Sequence, residues 1–362
     1  MRRFRAVVCL TLILMLLSCL IILYHWQSFN NMGSPSEIDL KLARFITNEL
    51  SRLLSPDIPA VEDVGEMVMN TWFKQEKEFC RKVFDGTHRL FQNEACRKGC
   101  LTPNKPESRR NVIIIPYRNR SEHLMELIPR LGELLTKQNI CYLIVVAEQA
   151  DQQPFNKGII MNAGFVEALN WIPFHCAIFH DVDLLPLNNE VPYTCSIYPR
   201  HISLCVDKFQ NRLPYIELIG GVLSIPLKIF LRVNGYSNLF WGWGAEDDDM
   251  YERLMLNGVP VTRPDPDVAQ FTMLKHNPSP AFHVALRTQI LSFTKVRYRL
   301  DGINSLNYTL VDSTIKMFTT STSKRTTNES ENKSVDRRMH QVLHLKINVG
   351  EPPIHFVKTK PT

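Results

Sequence analysis

The chain has 362 residues, 44% of them hydrophobic and 22% charged, an ordinary globular composition with apolar mass enough for one large or two modest domains. Its formal charge of +6 does not imply nucleic acid, because Arg2, Arg3 and Arg5 crowd ahead of an apolar run and much of the rest is dispersed.

That run extends from Ala6 to about Tyr24 and closes on the interfacial residue Trp26. At ~1.5 Å rise per residue it can cross a hydrocarbon core of roughly 30 Å, longer than the ~7–15 residues of a cleaved signal's apolar region. The expectation is a cytoplasmic tail over 1–5 and a signal-anchor span over 6–26. The arginines on the cytoplasmic side give type II topology and place the remainder in the lumen. A stem is expected over 27–75, with a helix-like stretch at Ile38–Leu54, and a lumenal catalytic domain over 76–362; Asp63–Phe84 could already pack on the globular part. Nine cysteines suit a secretory route, with Cys9 and Cys19 inside the apolar run and Cys80, Cys96, Cys100, Cys141, Cys176, Cys195 and Cys205 in the lumenal part. Their spacing is not that of a zinc site. Sequons at Asn119, Asn307, Asn328 and Asn332 agree with that route.

After a Pro- and Lys/Arg-rich linker at Leu101–Arg110, Asn111–Pro116 reads as a strand buried on both faces. A helix follows over Ser121–Lys137 with Ser121 as N-cap, then a second buried strand at Cys141–Val146, a helix near Ile159–Leu169, and a third strand at Cys176–Phe179. This alternation predicts a doubly wound α/β sheet that gathers ligands at the carboxyl ends of its strands. Phe318–Arg338 is polar enough for a disordered insertion, and His340–Val349 alternates like a final strand.

Three constellations could carry chemistry. Asp181 and Asp183 flank Val182 at the end of the third strand, so in extended backbone both carboxylates share a face and can hold a divalent cation against a diphosphate. Alone, such a pair is more often an acidic turn; the buried strand before it favours a site. Trp241-Gly242-Trp243-Gly244-Ala245-Glu246-Asp247-Asp248-Asp249 sets four carboxylates behind two tryptophans, natural platforms for a sugar ring, and mutual repulsion should raise the proton affinity of at least one acid toward that of a general base. Met273 and His276 stand three apart and would by themselves be filler and a surface histidine.

Together with Ile115–Arg120, Phe179–Pro186, Pro199–Ser203, Gly220–Val222, Asn234–Tyr236 and Asp301–Leu306, these stretches resemble the β-1,4-galactosyltransferase family, glycosyltransferase family 7, in the expected order over roughly Asn111–Asp312. The resemblance implies a GT-A type, Rossmann-like α/β fold behind the transmembrane helix, dependence on Mn2+, and inversion of a UDP-sugar to a β-1,4 linkage. By motif position Pro116, Tyr117, Arg118 and Arg120 would hold UDP, with Phe155 against the uracil, Lys208 near the diphosphate, and Asp181, Val182, Gly221 and Asp248 around the donor. Asp183, Met273 and His276 would ligate the metal. Trp243 would stand between donor and acceptor on a mobile loop, Glu246, Asp247 and Asp248 would grip the sugars, and Asp247 would be the base for the acceptor 4-hydroxyl. Cys176–Cys195 matches a family disulfide, and Cys100 half of another, with Cys80 or Cys96 as its partner.

Two positions depart from the family pattern. Leu218 replaces the tyrosine that stands two before the Gly-Gly pair in vertebrate galactosyltransferases; the change leaves room for an N-acetyl group, so UDP-GalNAc is expected over UDP-Gal, as in the invertebrate β-1,4-N-acetylgalactosaminyltransferases of the family. After His276, Asn277–Pro280 is shorter than the family's charged run, and Phe282 is the candidate aromatic wall for a GlcNAc-terminated glycan acceptor. A galactose-transferring enzyme, a noncatalytic sugar-binding paralogue, a xylose-directed galactosyltransferase and a metal-dependent phosphohydrolase are the competing readings. The resemblance places the chain in the Golgi membrane as a single-pass type II protein.

Overall fold

A computed structural model of the chain describes residues 53, 57–87, 94–102, 105, 108–276, 284–319 and 339–352. The expected span 6–26, the helix-like stretch at 38–54 except Leu53, Phe282 and nearly all of the insertion at 318–338 lie outside these residues. Among the described residues, no helix is long and apolar enough to cross a membrane.

Residues Ala60–Glu351 form one compact unit. Its centre is a seven-stranded mixed sheet in the order β5-β7-β3-β1-β2-β10-β9, with β1 Arg110–Tyr117, β2 Cys141–Gln149, β3 Cys176–His180, β5 Arg200–His201, β7 Val222–Pro226, β9 Thr309–Thr319 and β10 Met339–Asn348. β1 runs parallel to both β2 and β3, and its Val112, Ile113, Ile114 and Ile115 are fully buried, as a continuous apolar run in a two-sided parallel sheet requires. From β1 the chain crosses to β2 on one side, and β3 then forms on the other, so the crevice beyond the carboxyl ends of β1 and β3 is the topological switch point.

The helices among the described residues are α1 Val61–Phe84, α2 Glu94–Leu101, α3 Ser121–Lys137, α4 Lys157–Ala168, α5 Leu227–Arg232, α6 Glu246–Leu256, α7 Val284–Ser292 and α8 Thr294–Arg297, of which α3 and α4 pack on the sheet strands. The residue that caps α3 is Arg120, with no side-chain hydrogen bond, and Ser121 is already helical; the expected serine cap is not formed. The boundary drawn at residue 75 falls inside α1. This helix is docked by Trp72, whose indole donates to Phe174 O at 2.8 Å, and by Glu76, which pairs with the fully buried Arg110.

Three disulfides brace the unit, each a crosslink worth roughly 2–4 kcal/mol. Cys80–Cys100 joins α1 to α2, Cys96–Cys141 joins α2 to the start of β2, and Cys176–Cys195 closes the chain that follows β3. Cys100 therefore pairs with Cys80. Cys205 is free and buried.

A second sheet has the order β4-β8-β6, from β4 Leu184–Pro186, β6 Cys205–Val206 and β8 Gln270–Met273. It starts one residue after Asp183, and the antiparallel register Leu184↔Met273 brings the end of β8 back to that aspartate.

Candidate active site

The carboxyl end of β3 is held from two sides. Asp181 N–H donates to Gly221 O at 2.9 Å, and the Asp181 carbonyl lies 2.9 Å from His180 Nδ1. Burial pushes His180 down to about 4, so its ring is neutral. The carbonyl fixes the proton on Nδ1, and Nε2 then accepts from the Tyr193 hydroxyl at 2.8 Å.

Asp183 is placed by the small sheet. Its carbonyl accepts from Leu274 N at 2.8 Å, Met273 lies across from Leu184, and His276 Nε2 is 2.7 Å from Asp183 Oδ2. Asp183 and the distant Met273–His276 segment are thus brought together because a two-strand register returns β8 to the end of the Asp-x-Asp turn. Among the described residues no three His, Cys, Asp or Glu side chains converge as a metal site. The side-chain contact at this turn is one carboxylate with one imidazole, and Met273 comes to it through the strand register. Lys208 sits on the exposed 3-10 turn Asp207–Phe209, its ammonium 5.8 Å from the Phe209 ring; Asp207 accepts from Met273 N at 2.9 Å and so docks the turn on β8.

The acidic string opens α6. Gly242 and Gly244 adopt φ of +89 and +105, and Ala245 +77, so the chain turns sharply before Glu246 and places four carboxylates in a helix's first turn, where its dipole favours negative charge. Glu246 is buried and Asp247 is half-buried against Gly220. Asp249 points the other way, into a fully buried network with Arg253, Arg297 and Asp301 that ties α6 to the later chain. One cleft is lined by Asp181, Glu246, Asp247, Lys157, Gly220, Gly221 and Tyr236.

Its electrostatics are unbalanced. Burial, reinforced by Glu246 and Asp248, pushes Asp247 up to about 7. Burial raises Asp181 to about 6, with Lys157 opposing and Asp183 adding to the rise. Lys157 is the counter-ion the sequence reading missed: its Nζ lies 2.7 Å from Asp181 Oδ1 and 3.0 Å from Glu246 Oε1. Burial works to lower its pKa, but Asp181 and Glu246 outweigh it and hold the ammonium well above its usual range. Lys157 is the first residue of α4, whose cap Asn156 accepts from Ile159 N at 2.9 Å and donates to Asn238 O at 2.8 Å. The one available signal was a lysine opening a largely apolar helix.

Of the remaining expected residues, Gly221 is among those that line this cleft. Pro116 and Tyr117 end β1, and Arg118 and Arg120 lie in the turn before α3. The Arg118 guanidinium lies 5.1 Å from the Phe155 ring centre and donates to Gln153 O at 2.6 Å, while Phe155 O accepts from Gly242 N at 2.7 Å, linking this pair to the tryptophan loop. Trp243 is 65% exposed, with the Arg287 guanidinium 5.9 Å from its ring centre, so the indole stands outward. Val182 is buried, Leu218 half-buried, and Asp248 accepts from the Tyr215 hydroxyl at 3.0 Å. Gly221, at φ +87, has no room for a Cβ, which would fall 2.6 Å from Ser203 Oγ and 2.7 Å from Leu184 Cδ1.

Residues 71–196 match the N-terminal region of glycosyl transferase group 7, and residues 200–277 match the N-terminal domain of galactosyltransferase. Beta-1,4-galactosyltransferase 6 of Rattus norvegicus is 39% identical over 229 residues, 62% of this chain and 60% of the relative. Beta-1,4-galactosyltransferase 1 of Mus musculus is 39% identical over 221 residues, 59% of this chain and 53% of the relative. The chain thus spans between half and two thirds of the length of these relatives. Among solved structures, a mutant of Drosophila β-1,4-galactosyltransferase 7 in complex with manganese, UDP-Gal and xylobiose superposes with a TM-score of 0.53 at 25% identity, over 67% of this chain and 94% of that one. The architecture is the α/β GT-A glycosyltransferase fold.

Proposed function

We propose, from the premise that this chain belongs to glycosyltransferase family 7, the β-1,4-galactosyltransferase family, that it is an inverting, Mn2+-dependent glycosyltransferase. It moves a galactose-type sugar, GalNAc ahead of galactose, from UDP to the 4-hydroxyl of a terminal β-GlcNAc. The observation that carries this reading is the single cleft in which Asp247, Glu246 and Asp181 meet beyond the end of β3, with Asp183 and His276 in contact at the same turn.

Asp247 is the catalytic base. A carboxyl whose pKa is raised to about 7 is ionised in part at neutral pH and accepts a proton more readily than an ordinary aspartate. Glu246 and Asp248 keep it raised and present oxygens to sugar hydroxyls. Lys157 keeps the cleft from accumulating unscreened negative charge. Trp243 offers an apolar face for the acceptor ring. Tyr117, Arg118 and Phe155 hold the uracil end, and Lys208 reaches toward the diphosphate.

Asp183, Met273 and His276 would hold Mn2+. The cleft lining sets three carboxylates, Asp181, Glu246 and Asp247, against Lys157, so a diphosphate would enter it at lower cost with a cation. Carboxylate and imidazole suit Mn2+, and the soft thioether is a weak third donor that leaves room for hard phosphate oxygens. When bound, the metal supplies charge neutralisation for the departing UDP.

The donor preference rests on Leu218, which brings no hydroxyl to the sugar and opens space beside its C2; the named relatives are galactosyltransferases, and galactose is the alternative donor. Residues 6–26 anchor the chain in the Golgi membrane as a type II protein, a reading supported by Arg2, Arg3 and Arg5 ahead of the span and by three disulfides in the part assigned to the lumen.

The test is transfer by the full chain in detergent from UDP-GalNAc and UDP-Gal to β-GlcNAc and β-xylose glycosides, before and after chelation. Transfer to the GlcNAc glycoside that stops on chelation, returns with Mn2+, favours GalNAc and shifts toward galactose in Leu218→Tyr is expected. UDP binding without turnover on any acceptor would instead establish a sugar-binding protein, and galactose preference in the wild type would remove the donor assignment.

A further inference from the structure

Between the 3-10 turn Asp207–Phe209 and the Gly220–Gly221 pair, the segment 213–218 carries two side chains that matter to the site. Tyr215 donates to Asp248 at 3.0 Å, and Leu218 stands two residues before Gly220. This segment is poorly held by packing, since Tyr215 is 45% and Ile216 68% exposed. Its one internal backbone bond closes the turn from Leu218 N to Tyr215 O. Among the described residues its hydrogen bonds to the rest of the protein come from two groups alone, the Tyr215 hydroxyl and the guanidinium of Arg263.

Arg263 Nη2 donates to Ile216 O and, at 3.3 Å, to Leu218 O. The backbone leading into it is pinned. The preceding Thr262 donates to Pro199 O through both its N–H, at 2.8 Å, and its hydroxyl, at 3.0 Å, and accepts from His201 N at 3.0 Å, in a parallel bridge beside Arg200. Arg263 therefore carries the position of β5, the edge of the main sheet, across to two carbonyls of a segment whose other tie is the Tyr215 hydroxyl. The neighbouring His201 is kept neutral, pushed down to about 4 by burial and then by Arg263 itself, and its Nε2 lies 2.9 Å from Gly220 O, two residues beyond the segment.

We infer that Arg263 is a positioning residue: it latches segment 213–218 to the sheet edge, and so holds Leu218 beside the donor sugar and Tyr215 against Asp248. The guanidinium suits this task because it presents several fixed N–H donors in a plane, whereas a lysine ammonium is a compact point charge on a flexible stem. The inference rests on the donor site assigned above. It predicts that removing the latch blurs donor choice without disturbing the core, because the segment it holds contributes little burial.

The experiment uses the full chain in detergent, as wild type, Arg263→Met and Arg263→Lys, with UDP-GalNAc and UDP-Gal against a β-GlcNAc glycoside. In Arg263→Met the kcat/KM ratio between the two donors should move toward parity by at least about fivefold and donor KM should rise roughly tenfold, the scale of one lost charge-assisted hydrogen bond. kcat should change much less, and Arg263→Lys should recover part of the ratio. An unchanged donor ratio in Arg263→Met, even with a lowered melting temperature, would overturn the inference by reducing Arg263 to a purely structural role. Hydrogen exchange over 213–218 reads the latch without turnover: faster exchange in Arg263→Met supports it, and equal exchange refutes it. Failure of the wild type to transfer either sugar would sink the functional reading, and the exchange result would still decide whether the latch exists.

Discussion

Gly220 is the most exacting test of Asp247. A Cβ placed on Gly220 would stand 2.4 Å from Asp247 Oδ2, 3.2 Å from its Cγ and 3.6 Å from its Cβ. The backbone of Gly220 is not in the left-handed region, so alanine meets no conformational penalty there. The clash is with the far end of a side chain, and the carboxylate must retreat by about 1 Å to regain ordinary contact near 3.4 Å. A displacement of that size costs on the order of 100-fold when the moved group must meet a reacting atom. Gly220→Ala should therefore lower kcat by about 100-fold while UDP affinity and melting temperature stay near wild type. A carboxylate pushed toward water also loses part of the desolvation that raises it, so the residual activity should persist to lower pH than in the wild type. Initial rates at saturating donor and acceptor, calorimetric UDP binding and thermal unfolding read the three quantities. A variant that folds, binds UDP and keeps kcat within about threefold of wild type would show that the position of Asp247 is not what governs the chemistry.

Two further outcomes follow from the charges. Because burial favours the protonated form of Asp247 and the base must be ionised, kcat should be full well above pH 7, fall as pH drops through about 7, and approach tenfold loss per unit below it; a flat profile from pH 8 to pH 5 would contradict that role. Asp301 accepts from Ser237, Asn238, Arg253 and Arg297, with Asp301 and both arginines at most 3% exposed, so Asp301→Ala strands buried positive charge and should remove about 3–5 kcal/mol of stability in urea unfolding, a loss below about 1 kcal/mol being incompatible with that network.

Much of the α/β core was legible. Ile113, Ile114 and Ile115 in one unbroken apolar run can be satisfied only by a strand covered on both faces, and the helical period of α3 is strong enough to mark both its ends. The reading faltered where pairing decides structure. β9 is an edge strand that exposes Val311, Ile315 and Met317, so it lacks the buried run that identifies a strand, and it forms because β10 is there to pair with it over ten positions. The short strands β4, β6 and β8 are likewise defined by one another, and no local signal announces them. Cys96–Cys141 escaped for a related reason: its two cysteines meet because α2 docks at the start of β2, a contact that neither local sequence contains.

The site divides along the same line. Asp181, Asp183 and the acidic string could be singled out because their density of charge after apolar residues is itself anomalous, whereas Met273 and His276 gained meaning only from the family resemblance and acquire a physical reason in the Leu184↔Met273 register. Lys157, Gly220 and Arg263 carry no such anomaly. A lysine at a helix start, a glycine before a strand and an arginine in a loop are commonplace, and each becomes informative through a partner brought from elsewhere: Asp181 for Lys157, Asp247 for Gly220, the carbonyls of Ile216 and Leu218 for Arg263. What composition and period can reveal is therefore the group that bears a charge or a coordinating atom. What holds that group within an ångström of its working position is set by long-range packing, and that is where Gly220→Ala and Arg263→Met place their perturbations.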